Sequence, residues 1–163
     1  MLKRSMGVAG LVAVFALSSA TAALAGNGAG TVSLTQHARN VVLFSNPTAN
    51  PCTGDAGTLT ATAATEVFHI TTQADGTFWV TGTAQGTVTF TPSDPKAASA
   101  TGHFAQWFGE SSNDRNDVQH DTGNFNLLAT DGSHIVVHTA DHLSTNANGV
   151  VTVNFSTFTP HCS

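Results

Sequence analysis

From Thr77 to Thr91 the side chains alternate with a period of two, and that spacing limits what the backbone can be. Phe78, Val80, Gly82, Ala84, Gly86, Val88 and Phe90 fall on one parity. Thr77, Thr81, Thr83, Gln85, Thr87, Thr89 and Thr91 fall on the other, with Trp79 the single exception. Successive side chains of a strand point to opposite faces, so this is one long strand with an apolar face and a hydroxyl-rich face. A helix would mix the two sets around its axis. Glycines on the apolar face predict bends or bulges, as where a sheet curls tightly. With the apolar parity interior, Trp79 points outward or into a neighbouring loop.

The same rhythm recurs along the chain. Thr58–Thr72 is rich in Thr, Val, Phe and Ile and runs into Ala74-Asp75-Gly76, a hairpin signal that pairs it antiparallel with the Thr77 strand. Asp131-Gly132 joins an alternating Gly123–Thr130 to Ser133–Thr139, and Ala147-Asn148-Gly149 leads to Val150–Thr159. Thr101–Gly109 and Val41–Asn46 complete a set of about seven or eight strands. No segment has helical periodicity. Pro92–Lys96 and the polar Glu110–Asp117 stretch read as loops. Asn113–Asp117 carries oxygen ligands but lacks the glycine and trailing glutamate of a calcium loop, so it reads as a solvated hairpin tip. The expected fold is all-β, an antiparallel meander closed as a lipocalin-like or calycin-like barrel, which removes exposed edges. A two-sheet β-sandwich is the runner-up.

The N-terminus has Lys3 and Arg4, an apolar run from Met6 to Ala20, and Ala23-Leu24-Ala25. That is the pattern of a secretory signal peptide over residues 1–25, cleaved after Ala25. A run of about fifteen residues is short of the roughly twenty a span needs. One secreted domain, 26–163, is then expected, with its ordered core at about 40–162. Cys52 and Cys162 are the only cysteines, and an even pair in an oxidising compartment predicts a disulfide that holds the two ends of the domain together.

Residues 26–163 keep three basic residues (Arg39, Lys96, Arg115) against ten acidic ones. Phosphate backbones and anionic lipid are polyanions, so neither nucleic acid nor, after signal cleavage, a membrane is an expected partner. There is no G-x-S-x-G elbow, no free cysteine to pair with a histidine and no phosphate loop.

Eight histidines are the chemistry that remains. His134, His138 and His142 share a strand parity with Val136 and Ala140, which predicts a histidine face toward a partly apolar cavity. The opposite parity, Ile135 and Val137, is at least as apolar. His138 and His142 have an H-x-x-x-H spacing, yet i and i+4 on a strand lie roughly 13 Å apart, too far to share a zinc. His103 or His120 from neighbouring strands could complete a site, but no metal and no cofactor is expected. Glu66 shares a parity with Phe68 and Ile70, where an ionised carboxylate is costly without a partner. Ligand-lining candidates are His134, His138, His142, Glu66, His103 and Trp107.

Asn50-Pro51-Cys52-Thr53-Gly54, Val67-Phe68-His69, Ala74-Asp75-Gly76-Thr77, Thr101-Gly102-His103-Phe104, Trp107-Phe108-Gly109-Glu110, and Asp131-Gly132-Ser133 followed by His138 and His142 form one set. Together they resemble a family of small, functionally uncharacterised, secreted β-rich proteins of high-GC Gram-positive bacteria, over about Asn50–Cys162. The resemblance implies secretion and an all-β fold and transfers no catalytic residues. The expected function is a secreted, non-catalytic binding protein for a small apolar or amphipathic ligand or a cell-envelope partner, monomeric or weakly self-associating. The alternatives are an acid–base cyclase, isomerase or lyase using cavity His and Glu, and a structural or inhibitory extracellular protein.

Overall fold

The computed structural model describes residues 30–163; the signal peptide expected over residues 1–25 lies outside them. Eight strands form one antiparallel sheet: β1 (Val32–Ala38), β2 (Val41–Ala49), β3 (Ala56–Thr72), β4 (Phe78–Pro92), β5 (Ala100–Ser112), β6 (Asn116–Ala129), β7 (His134–Asn146) and β8 (Val151–Cys162). From β3 to β8 each strand pairs with the next. Three hairpins have three-residue loops whose last residue is Gly76, Gly132 or Gly149, all at positive φ, which glycine adopts without steric cost. In two of them an aspartate caps the turn. Thr77 and Ser133 donate their backbone N–H groups to Asp75 and Asp131, and these bonds hold both carboxyls below the usual range.

The all-β meander agrees with the sequence reading; the closed barrel does not. Among the described residues no ladder joins β8 to β1 or β2. The reason lies at the first edge. β1 pairs with the second half of β3 and β2 with the first half, so together they are one strand interrupted at Arg39-Asn40, where Asn40 has φ 54°. The break faces a β-bulge at Ala64, between Ala63 and Thr65 of β3. One strand further, a Cβ on Gly86 would run into the backbone at Thr62 and Ala64. Bulges bend strands and sharpen twist, so this line divides the sheet into two halves.

Below the bend, on the Cys52 side, the inner face is a packed core. Ala61, Ala63, Val88, Phe90, Ala100, Phe104, Leu127, Ala129, Ile135 and Val137 are buried there. Alanines let the backbone curl closely, and the larger residues fill the space that remains. Here the two edges of the sheet are linked covalently. Asn50 closes the β2–β3 turn by accepting the Cys52 N–H at 2.9 Å. Cys52 bonds Cys162 at the end of β8, with their Cα atoms 5.8 Å apart. A disulfide therefore does at one end what a ladder would do in a barrel.

Three boundaries also differ from the sequence reading. The segment before residue 40 is ordered as β1, Glu110–Asp117 shrinks to a tight turn around Asn113, and β8 runs to Cys162. Asn113 holds that turn by accepting the N–H groups of Arg115 and Asn116. No helix among the described residues is long and apolar enough to cross a membrane.

Candidate functional site

The register sorts the ionisable side chains by face. Directly opposed residues of an antiparallel pair share a face. Glu66 opposes the buried Ala84, Glu110 opposes Val80, Asp117 opposes Ser112 and Asp121 opposes Phe108, while Asp141 opposes Asp121. All five acidic residues on strands thus belong to the inner face, above the bend. The histidines do the reverse. His37 and His69 lie in rows with Val67 and Thr81, His103 with Thr87, and His120 with Gly109. His134, His138, His142 and His161 oppose Leu128, Asn124, His120 and Val136. All eight belong to the outer face.

This corrects the histidine-face expectation. On β7 it is Ile135 and Val137 that are buried, while His134 and His138 are exposed. Two residue types decide the matter: β-branched Ile135 and Val137 can fill a core, whereas imidazoles would have to bury polar nitrogens there. The three histidines therefore do not line an interior cavity, and His103 does not either. Outer-face hydrogen bonds hold several of them. His138 Nδ1 contacts Asn124 Oδ1 at 2.9 Å, and His69 lies between Thr35 Oγ1 at 2.9 Å and Thr71 Oγ1 at 3.2 Å. His142 meets His120, its neighbour across β6 and β7.

Glu66 is inward and only 5% exposed, and its Oε1 has no hydrogen-bond partner. Burial pushes its carboxyl above the ordinary carboxylate range. Asp121 is raised too, mainly by burial; the Gln106 side-chain amide, which donates to Asp121 Oδ2, offsets part of this, and the charge of Asp141 adds to it. Glu110 is raised by burial and by Asp117, with Gln119 pulling the other way. A carboxyl whose folded pKa lies above its unfolded value binds protons more readily when folded, so stability falls as pH rises through that interval. Glu66→Gln removes the buried charge and is therefore expected to stabilise the fold by about 1 kcal/mol at neutral pH, the scale of a shift of one pKa unit. The difference should shrink as pH falls toward 4. Urea unfolding of both proteins at pH 4 and pH 7.5 measures it, and a variant no more stable than wild type at pH 7.5 contradicts it.

Trp107 is the ligand-lining candidate that meets open space. It stands on the outer face of β5, 43% exposed, and its ring leans over Gly109, where a Cβ would come within 3.2 Å of it. A groove of about 490 Å³ runs beside it, lined by Thr65, Val67, Thr83, Gln85, Ala105, Thr122 and Asn124 among others. A smaller hollow of about 210 Å³ on its other side reaches His69 and Thr81. Trp79 is exposed on the same face. It opposes Ser111, four residues from Trp107, which places the two tryptophans roughly 13 Å apart along the strands. Among the described residues no group of three or more His, Cys, Asp or Glu side chains is placed to hold a metal ion.

Sequence reasoning named Trp107 and missed its setting. The partners Thr83, Gln85, Thr122 and Asn124 come from the two flanking strands, β4 and β6, and only the register brings them to one place. Counting outward from the turn around Asp131-Gly132 would have found the His120–His142 pair, since Ala129 and Ser133 close that turn. No family model, curated protein or solved structure matches the chain.

Proposed function

We propose that this is a secreted, non-catalytic binding protein whose outer face receives an uncharged polysaccharide of the cell envelope, with Trp107 as the stacking platform. The observation that carries this reading is a large indole left exposed in mid-sheet, in a groove whose polar lining consists of hydroxyls and amides. Aromatic faces stack on apolar faces, and Thr, Gln and Asn both donate and accept, which suits the alternating C–H and O–H surfaces of a sugar. Val67, Ala105 and the polar groups lining the groove carry no charge, so an anionic chain would find no cation to pair with there. The disulfide, the signal-peptide pattern and the resemblance to secreted β-rich proteins of Gram-positive bacteria support the extracellular setting.

A small apolar ligand fits less well, because the inner face below the bend is filled by core side chains. Acid–base chemistry by paired His and Glu fits less well too, because the strand carboxylates and the histidines stand on opposite faces. A purely structural role leaves the exposed indole without a purpose.

Affinity electrophoresis through gels cast with neutral polysaccharides, alongside pull-down on isolated cell walls, tests the proposal. The wild type should be retarded. Trp107→Ala should lose roughly 2 kcal/mol of binding or more, the scale of a truncated aromatic hot spot. Trp79→Ala should lose less. A Trp107→Ala protein that migrates and sediments like the wild type overturns the reading.

A further inference from the structure

Beside the Trp107 groove, two strands bring a pair of imidazoles into contact. His120 of β6 and His142 of β7 are directly opposed, with their Nδ1 atoms 2.8 Å apart. Their ring centres are 4.1 Å apart and the planes are inclined by 60°. A linear N–H···N bond between two rings held end-on would separate the centres further. The two rings instead meet edge to face, with their Nδ1 atoms brought together on the outer face, where His120 is exposed and His142 partly so. The flanking outer-face positions are Gly109, Thr122, Val118, Ala140, Ser144 and Phe155, so no lysine or arginine from β5 to β8 competes for the imidazoles.

We propose that His120 and His142 form a two-ligand site for a tetragonal transition-metal dication, Cu2+ above all, with water in the remaining positions. At a metal–imidazole distance of about 2.0–2.1 Å, two nitrogens 2.8 Å apart subtend an angle of roughly 85° at the ion. That is close to the cis angle of a square-planar or tetragonal centre and too narrow for a tetrahedral one, which favours copper over zinc on geometry as well as on the general order of affinities. Both ligands ride on the same hairpin, so their separation is set by the ladder before any ion arrives and little ordering remains to be done on binding. The site is separate from the polysaccharide groove, although His120 lies next to it.

That proximity supplies the readout. The Trp107 and His120 ring centres are 6.4 Å apart, so a bound cupric ion should quench Trp107 emission. Cu2+ titration of the disulfide-bonded protein should give saturable quenching at one equivalent. His120→Ala and His142→Ala should each weaken binding by about tenfold or more, and the double variant should do little worse than either single one. His103→Ala, on the same face but away from the pair, should bind like the wild type. Electron paramagnetic resonance of the copper-loaded protein should show two equatorial imidazole nitrogens, and one or none in each single variant. The proposal is overturned if quenching does not saturate, if either single variant keeps wild-type affinity, or if His103→Ala weakens binding as much as they do.

Discussion

Replacing both Cys52 and Cys162 with serine is expected to lower the stability of the fold by roughly 4–5 kcal/mol. The pair spans 110 residues, and on the chain-entropy model closing a loop of about that length removes this much from the unfolded state's freedom. The position makes a full effect credible. Cys52 sits in a turn already ordered by Asn50, which is itself buried. Cys162 is held in the ladder opposite Ile135, and His134 and Ser163 exchange backbone hydrogen bonds just beyond it. Both ends of the bond are thus pre-placed. It also joins two sheet edges that no ladder connects among the described residues, so its loss removes the closure of the core at that end. Urea unfolding of the variant against the oxidised wild type gives the number. Coincident transitions would mean the core holds the edges together unaided.

The alternation at Thr77–Thr91 was legible because it is local: each residue's face follows from the pleat alone, and every even position from Gly82 to Phe90 lies inward or against the bend. The x-Asp-Gly and x-Asn-Gly turns were legible for the same reason, since the demand for positive φ is met by one residue. Trp79 and Trp107 sit on the polar parity of their strands and are exposed as that parity requires. Closure was not legible. It depends on whether β8 finds a partner across the whole sheet, and the break at Arg39-Asn40 opposite the Ala64 bulge divides the edge that would have to receive it. Neither feature has a period to read. The outward histidines were hidden for another reason. On β7 both parities carry apolar residues, Ile135 and Val137 on one and Val136 and Ala140 on the other, so hydrophobicity alone could not choose between them. The choice follows from the neighbouring strand, because Leu127 and Phe125 oppose Ile135 and Val137 and continue the core across β6. The outer rows carry Asn126 and Asn124 instead.

That choice predicts opposite consequences for residues three apart on β7. Ile135 is 3% exposed, packed with Leu127 and the rest of the core beside Cys162. Ile135→Ala should therefore cost about 2–5 kcal/mol, the sum of lost transfer free energy and the cavity left behind. The alanines that let the sheet curl offer little side chain to move into that space, which places the expected loss toward the upper end. His138 stands on the other face, in solvent, with one hydrogen bond to Asn124. Exposed hydrogen bonds exchange with water, so His138→Ala should change stability by no more than about 0.5 kcal/mol. Guanidinium unfolding of the two variants side by side reads both. A large loss at His138 with none at Ile135 would invert the faces of β7. It would turn the histidines inward and, through the β6–β7 register, carry Asn124 and Asn126 with them into a core they cannot satisfy.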